Sequence, residues 1–275
     1  VSGFVIFIIP SVLVSLSFAP ILLSVSPTPA FEATKPLSLV SLFHSSPLAF
    51  IGMLLLGGVF SAMFGMSSVY GTEIGLSVGQ ISAFVSAIFI GSLVLQYPIG
   101  WLSDRLDRRL LILGSAATGA LACVLGFAFG ANFTLLLAAA FLLGGMSNPL
   151  YALLIAYLND YLDPDDMAAA SGGLIFVNGV GAIAGPIATG WLMGAVGAQA
   201  GFWLFIAALF GLMTAYAGYR MTRRAATPVD ESGAYVTIMP TASPVAFEAA
   251  QEFAQEIATE QAEDGAEATG MNNAA

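Results

Sequence analysis

The sequence predicts an all-α membrane protein with seven transmembrane helices, and three observations support this prediction. Of the 275 residues, 58% are hydrophobic and only 9% are charged, whereas soluble domains have about 25% charged residues. The apolar residues form runs of about 20, the length that a helix needs to cross about 30 Å of hydrocarbon. No run shows the alternating polarity of a barrel strand. Helices therefore remain as the structure that satisfies the hydrogen bonds of the backbone in lipid.

Seven apolar runs are separated by short polar breaks, and each run predicts one span. In chain order, the predicted spans are residues 3 to 24, 48 to 70, 80 to 102, 110 to 130, 133 to 158, 169 to 193 and 200 to 219. If every run crosses the membrane, successive breaks alternate between its two sides. All of the basic residues then fall on one side: Lys35, Arg105, Arg108, Arg109, Arg220, Arg223 and Arg224. The positive-inside bias predicts that this side, which includes the carboxy terminus, is cytoplasmic.

Two segments outside the spans differ from the rest in composition. Residues 25–47 contain four prolines, which predicts an extended cytoplasmic linker between the first helix and a six-helix unit. From Ala225 onward there are nine acidic residues and no lysine or arginine. The net charge of −10 therefore describes a tail, predicted to be disordered and cytoplasmic, and says nothing about the charge of a substrate. A marginal acidic helix in this tail is the alternative.

The most specific string runs from Gln96 to Arg109, at the predicted cytoplasmic join of the third and fourth spans. It ends with two acidic residues and three arginines within six positions. This pattern predicts a tight turn whose carboxylates accept hydrogen bonds and whose arginines reach carboxylates or helix C-termini. Such a turn can hold two helix bundles together in one state and release them in another. The alternative is an ordinary anchor of lipid-facing arginines.

This string resembles the signature loop of the major facilitator superfamily, Gly-x-Leu-Ser/Ala-Asp-Arg-x-Gly-Arg-Arg/Lys. The matching residues are Gly100, Leu102, Ser103, Asp104, Arg105, Arg108 and Arg109. Asp107 stands where many members have glycine, which implies a different bend and an extra hydrogen-bond acceptor. The lead-in Gln-x-Pro-Ile-Gly is similar to a bacterial subgroup of transporters, which implies a location in the inner (plasma) membrane.

The resemblance implies that the chain is the carboxy-terminal portion of a twelve-helix transporter, spanning the sixth to twelfth helices. Residues 1–24 would be the last helix of the amino-terminal bundle, residues 25–47 the central linker, residues 48–224 the carboxy-terminal six-helix bundle and residues 225–275 the tail. The absence of a methionine at position 1 and the odd number of spans also indicate a partial chain. The implied function is secondary active or facilitative transport of a small solute by alternating access.

Glycine and proline in the sixth span predict a closely packed, bendable helix. Gly181 and Gly185 lie four residues apart on one face, Pro186 removes an intrahelical hydrogen bond, and Gly190 follows. The pattern is similar to the glycine-proline helix that is associated with the rocking movement of the family. Tight packing without movement explains the pattern equally well.

Polar side chains at membrane depth usually face protein or a cavity. Six such residues are candidates for lining a substrate cavity: Ser61, Ser68, Gln96, Asn148, Tyr151 and Asn178. Interhelical hydrogen bonding explains each of them about as well. No charged residue lies in the middle of a predicted span, so proton coupling would require an ionisable group from elsewhere in the protein.

The sequence predicts no enzymatic activity, no cofactor, no metal site and no nucleic-acid partner. Cys123 is the only cysteine, and the sequence contains no catalytic triad, phosphate-binding loop or basic patch. Two other functions remain open: a complete seven-helix receptor, and a non-transporting membrane scaffold whose acidic tail recruits a partner. A retinal pigment is disfavoured because the only lysine, Lys35, lies in the linker.

Overall fold

The computed structural model describes residues 3–17, 19, 38–162 and 164–223. The chain divides into two compact units, residues 1–34 and 35–275. In the first unit, helix α1 covers Gly3–Ser17 and contains Pro10. The predicted first span continues to residue 24, beyond the described part of α1, so the seventh transmembrane helix remains a prediction. The predicted tail, residues 225–275, also lies outside the described residues.

In the second unit, the described residues form helices and no strand, which confirms the all-α class. The helices are α2 (Leu39–Ser45), α3 (Pro47–Phe60), a π-helical turn (Ser61–Gly65), α4 (Ser67–Glu73), α5 (Val78–Ser103), α6 (Arg108–Phe129), α7 (Phe133–Asn159), α8 (Pro164–Val196) and α9 (Ala198–Met221). Six of the described helical segments are long and apolar enough to cross a membrane: α3 with its π-helical turn, and α5 to α9.

The structure differs from the predictions in three places. Helix α2 (Leu39–Ser45) lies within residues 25–47, which were predicted to be an extended linker, and Ser38 caps its start through a hydrogen bond from the Ser41 N–H. The predicted span over residues 48 to 70 is interrupted by the π-helical turn, which hydropathy does not detect because its residues are as apolar as their neighbours. The predicted span over residues 169 to 193 is the apolar part of a longer helix that begins at Pro164. Proline is favoured in the first turn of a helix, where its missing N–H has no intrahelical partner.

The most extensive packing between spans is that of α5 with α7, followed by α3 with α8, α6 with α9, and α6 with α7. Glycines bring the backbones of the first two pairs into contact. A Cβ atom on Gly91 of α5 would lie 1.9 Å from the carbonyl oxygen of Phe141 in α7, and one on Gly181 of α8 would lie 1.9 Å from that of Leu54 in α3. Any larger residue at either position would push the two helices apart.

The spans differ in how much of their surface the bundle covers. In α7, and in α3 with its π-helical turn, 61% of the apolar span is buried, whereas only 22% is buried in each of α5 and α8. The exposed side chains of α5 include Phe89, Leu93 and Tyr97, and those of α8 include Ile183 and Ile187. Helices α3 and α7 are therefore the most enclosed of the described spans, and α5 and α8 present open apolar faces.

Candidate functional site

The tight turn predicted within Gln96 to Arg109, which we call the gate loop, is a short connection between α5 and α6. Helix α5 ends at Ser103, and Asp104 is its C-cap residue. Helix α6 begins at Arg108, and Asp107 is its N-cap residue. The Asp107 carboxylate accepts a hydrogen bond from the Arg109 backbone N–H at 2.9 Å. The side chain that caps α6 is therefore the aspartate that stands where many members of the resembled family have glycine.

Arg108 joins three helices from a buried position. Its guanidinium forms an ion pair with Asp160, which follows α7, and only 4% of each side chain is exposed. It also donates to the Ser103 hydroxyl at 3.2 Å and to the Ala156 carbonyl oxygen at 3.3 Å. We call the group formed by Ser103, Asp107, Arg108, Arg109, Ala156 and Asp160 the arginine end. It ties together the end of α5, the start of α6 and the end of α7.

Asp107 and Arg109 form a second ion pair in this group. The Arg109 Nη2 atom lies 2.7 Å from Asp107 Oδ2, and Arg109 Nε donates to Asp107 Oδ1 at 3.1 Å. Burial raises the pKa of the Asp107 carboxyl, but the hydrogen bonds from the Arg109 side chain and backbone outweigh it. The pKa of Asp107 consequently lies below its usual range, and this carboxylate stays ionised at neutral pH.

Asp104 and Arg105 occupy the exposed side of the turn. The Arg105 guanidinium lies 4.0 Å from the centre of the Trp101 ring and donates to the Trp101 carbonyl oxygen at 3.0 Å. Gly100 is buried and Leu102 is partly buried. The motif residues therefore divide between a buried set that holds the bundle together and an exposed pair at its surface.

The glycine-proline region of α8 lies against α3 and the π-helical turn. A Cβ atom on Gly185 would be 1.8 Å from the Ser61 hydroxyl oxygen, whereas one on Gly190 would meet only the end of a methionine side chain at 3.6 Å. Asn178 donates to the Met53 carbonyl oxygen at 3.1 Å. Pro186 lies inside α8 without ending it. Ser61 and Asn178, two of the six cavity candidates, thus contribute to the contact between α3 and α8.

Gln96 and Asn148, two further candidates, lie on the paired helices α5 and α7. Asn148 donates to the hydroxyl of Ser92, which donates to the Gly144 carbonyl oxygen at 3.0 Å. Both amides are buried, and in the described part of the molecule Asn148 Oδ1 and Gln96 Nε2 have no hydrogen-bond partner. An unsatisfied buried polar atom is unusual and is often explained by a ligand or water.

Tyr151, another candidate, ends a row of aromatic rings that crosses from α7 to α5. Its ring is tilted by 59° against that of Phe60, with centres 6.0 Å apart, and Phe60 stacks on Phe64 at 5.8 Å. Phe64 stacks in turn on Phe89 at 5.3 Å. We call these four residues the stacked row. The sixth candidate, Ser68, is exposed on α4.

The opposite end of the bundle is held by uncharged groups. Tyr70 donates to Gln199 Oε1 at 2.6 Å, and Trp203 Nε1 donates to the Tyr70 hydroxyl oxygen at 2.9 Å. Gln199 also donates to the Gly126 carbonyl oxygen at 2.7 Å. The Tyr70 ring stacks on Phe202 with centres 4.5 Å apart. We call these five residues the tyrosine end, which joins α4, α6 and α9.

Sequence reasoning missed several residues of these groups. Asp160 gave a weak signal as an acid just past the fifth predicted span, on the same side as the gate loop. Ser92 carried the signal of a polar residue in an apolar run but was not selected. Phe60 and Phe89 gave no signal, because phenylalanine in an apolar helix is equally consistent with contact to lipid.

The chain is similar to known membrane proteins. A sequence profile of the Major Facilitator Superfamily matches residues 48–250. The uncharacterized MFS-type transporter YfkF of Bacillus subtilis (strain 168) is 32% identical over 149 residues, which cover 53% of this chain and 37% of the relative. The uncharacterized MFS-type transporter YcaD of Escherichia fergusonii is 25% identical over 164 residues, covering 59% of this chain and 42% of the relative. The chain spans about two fifths of the length of these relatives.

The profile match includes all six described spans as well as the turn between α5 and α6. It covers well over half of the chain, so it reaches far beyond the short string that first indicated the family. The resemblance inferred from Gly100 to Arg109 is confirmed. This chain belongs to the Major Facilitator Superfamily of membrane transporters.

Proposed function

We propose that the complete protein moves a small solute across the bacterial inner membrane by alternating access. In this proposal residues 48–224 form one six-helix bundle, residues 1–24 contribute the last helix of another, and residues 25–47 link the two. The length of the relatives supports it, since this chain covers only 37% to 42% of them. The arginine end faces the cytoplasm in this proposal, as the positive-inside bias predicts.

The observation that carries the proposal is the contrast between a buried centre and open faces. Helix α7 is enclosed, whereas α5 and α8 leave most of their apolar spans uncovered. A second bundle packed on α5 and α8 would cover these faces and leave a path for solute between the two bundles. Rocking of one bundle against the other would then open this path to alternate sides of the membrane.

The two sides of the gate loop would have different tasks in this cycle. The buried ion pair of Arg108 and Asp160 keeps the ends of α5, α6 and α7 together. Asp104 and Arg105 are exposed at the surface of the same turn, where they can contact the other bundle in one state and leave it in the other. We therefore assign the latch to Asp104 and Arg105. The buried pair of Arg108 and Asp160 would hold the turn that carries them in place.

Helix α8 would supply the flexibility that the movement requires. Gly181 and Gly185 allow the backbones of α8 and α3 to touch, and Pro186 lacks an N–H for its own helix. The π-helical turn of α3 lies against the same region, and such turns are frequent at functional sites. The described parts of the spans carry no acid in their middle, so proton coupling would rely on another part of the complete protein.

The latch can be tested in the complete protein without knowing the solute. A reporter cysteine in place of the exposed Ser68, in a background in which Cys123 and every other cysteine of the complete protein are replaced by alanine, would be labelled by a membrane-impermeant maleimide from the side opposite to the arginine end. Asp104→Asn should slow this labelling by about threefold or more, because losing the latch shifts the population away from the state open on the reporter side.

Two control variants separate the latch from general effects. Asp104→Glu retains the charge and should restore most of the labelling rate. Asp166→Asn removes an acid near the start of α8, outside the loop, and should leave the rate unchanged. Equal labelling of the parent and Asp104→Asn proteins at equal membrane levels would contradict the latch.

A further inference from the structure

We propose that the stacked row and the neighbouring amides of Gln96 and Asn148 form a binding site for a planar, uncharged aromatic molecule. The inference rests on the transport function proposed above, because it names the chemical class of the solute. It depends on four observations: the geometry of the rings, their depth, the unpaired amide atoms and the absence of charge.

The rings of the stacked row form a graded series from a closed end to an open one. Tyr151 and Phe60 are 2% and 5% exposed, whereas Phe64 and Phe89 are 41% and 53% exposed. The interplanar angle is 14° between Phe60 and Phe64 and 23° between Phe64 and Phe89. Nearly parallel rings with one open end can accept another flat ring in an offset stack.

The row lies near the middle of the spans. Phe89 is about 17 Å from the start of α5, at about 1.5 Å per residue, in a helix about 39 Å long. Phe60 is similarly placed, midway along residues 47–73. Solute sites of transporters built from two helix bundles lie near this depth.

Polar groups border the row on two helices. Phe89, Ser92 and Gln96 are spaced by three and four residues, so they share one face of α5. The hydrogen bond from Asn148 to Ser92 connects this face to α7. Asn148 is in turn three residues before Tyr151, at the closed end of the row. The stacked row and the hydrogen bond from Asn148 to Ser92 therefore both connect α5 to α7, and their ends are three residues apart on each helix.

The unpaired amide atoms distinguish this face from one that merely contacts lipid. In the described part of the chain Asn148 Oδ1 lacks a donor and Gln96 Nε2 lacks an acceptor. Lipid tails can satisfy neither atom. Both atoms are covered in this structure, so in this proposal the two side chains turn toward the solute, which pairs with them through one N–H or O–H group and one acceptor.

The site as this bundle forms it offers no charge that could pair with a charged molecule. Residues 47–65, Val78–Ser103 and Phe133–Asn159, which form the site, contain no Asp, Glu, Lys, Arg or His. A charged molecule at this depth would lack a partner in this bundle. A flat aromatic molecule that carries a hydroxyl or a similar neutral polar group is consistent with all four observations.

The experiment measures binding of 2-naphthol to the complete purified protein by equilibrium dialysis. Phe89→Leu and Phe64→Leu, which keep the positions apolar, should each weaken binding by about fivefold or more, because a leucine cannot stack. Phe127→Leu is the matched control, since this phenylalanine is 43% exposed on α6, away from the row. It should leave the affinity unchanged.

A second comparison tests the amide contact. Gln96→Leu should weaken binding of 2-naphthol by about fivefold but leave binding of naphthalene, which has no hydroxyl, unchanged. Equal losses in Phe127→Leu and Phe89→Leu, or equal affinity for the saturated decahydro-2-naphthol, would show partitioning into any apolar surface and overturn the inference. Failure here with an intact labelling shift in Asp104→Asn would reject the solute class alone. Normal binding without that shift would contradict the latch instead.

Discussion

The two ends of the bundle are held together by different kinds of interaction. At the arginine end, buried ions tie together α5, α6 and α7 through Arg108 and Asp160. At the tyrosine end, neutral hydrogen bonds and stacked rings join α4, α6 and α9 through Tyr70 and Gln199. Helix α6 belongs to both groups, with its first residue at one end and Gly126 near its last turn at the other.

The difference teaches how each end should respond to a change. A buried charge that loses its partner is costly, because neither lipid nor protein solvates it. When a neutral donor or acceptor loses its partner, the free-energy cost is smaller, and this cost does not depend on pH or salt. The arginine end should therefore be the more fragile to mutation and to acid, and the tyrosine end the more tolerant.

The largest effect is expected from Asp160→Ala. This change leaves the buried Arg108 guanidinium without its carboxylate, which should cost about 3–5 kcal/mol of unfolding free energy. This loss of unfolding free energy is measured from the midpoint of denaturant unfolding of the purified protein in detergent. A parallel loss of protein from the membrane fraction is expected because a change of this size rivals the total stability of many domains.

A double variant tests whether the cost comes from the orphaned charge. Arg108→Met combined with Asp160→Leu removes both ions and should recover most of the lost stability, because an apolar pair of similar volume is often as stable as a buried ion pair. If the double variant is as unstable as Asp160→Ala, the shape of the turn matters more than its charges, and the comparison between the ends fails.

A smaller effect is expected at the tyrosine end from Tyr70→Phe. The variant keeps the stack on Phe202 but leaves Gln199 Oε1 and Trp203 Nε1 without the Tyr70 hydroxyl, which should cost about 1–3 kcal/mol. Tyr97→Phe, at an exposed tyrosine of α5, is the control and should cost nothing measurable. A loss for Tyr70→Phe as large as that for Asp160→Ala would remove the proposed contrast.

The same difference explains what the sequence could predict. Charges are rare in this chain, so the string from Asp104 to Arg109 stood out and led to both the family and one end of the bundle. The apolar runs located the six described spans, since membrane thickness fixes their length. The tyrosine end remained unseen, because a tyrosine, a glutamine and a tryptophan in separate helices have no fixed spacing that could reveal their contact.

The middle of the bundle was predicted only in part for a related reason. Gln96, Asn148 and Tyr151 stood out as polar groups in apolar runs, and the structure places all three on the paired helices α5 and α7. Phe60 and Phe89 became visible only when the three-dimensional arrangement brought their rings together. The π-helical turn was missed because it depends on the hydrogen-bond register of the backbone, which composition does not encode.

The smallest effect is expected from Asp107→Asn, which sharpens the comparison through pH. Asparagine is also a good N-cap, so the change should remove only the ion pair with Arg109 and cost about 0.5–1 kcal/mol at neutral pH.

Because the pKa of Asp107 is lowered in the folded protein, its contribution is present above the usual pKa of about 3.9 and is lost as pH falls through the folded value. The stability difference between parent and variant should therefore shrink as pH falls from 7 to below 4. The loss in Tyr70→Phe should stay constant over the same range, because no described residue of the tyrosine end titrates there. If the Asp107→Asn difference also stays constant, the ion pair of Asp107 with Arg109 does not contribute to the acid sensitivity of the arginine end.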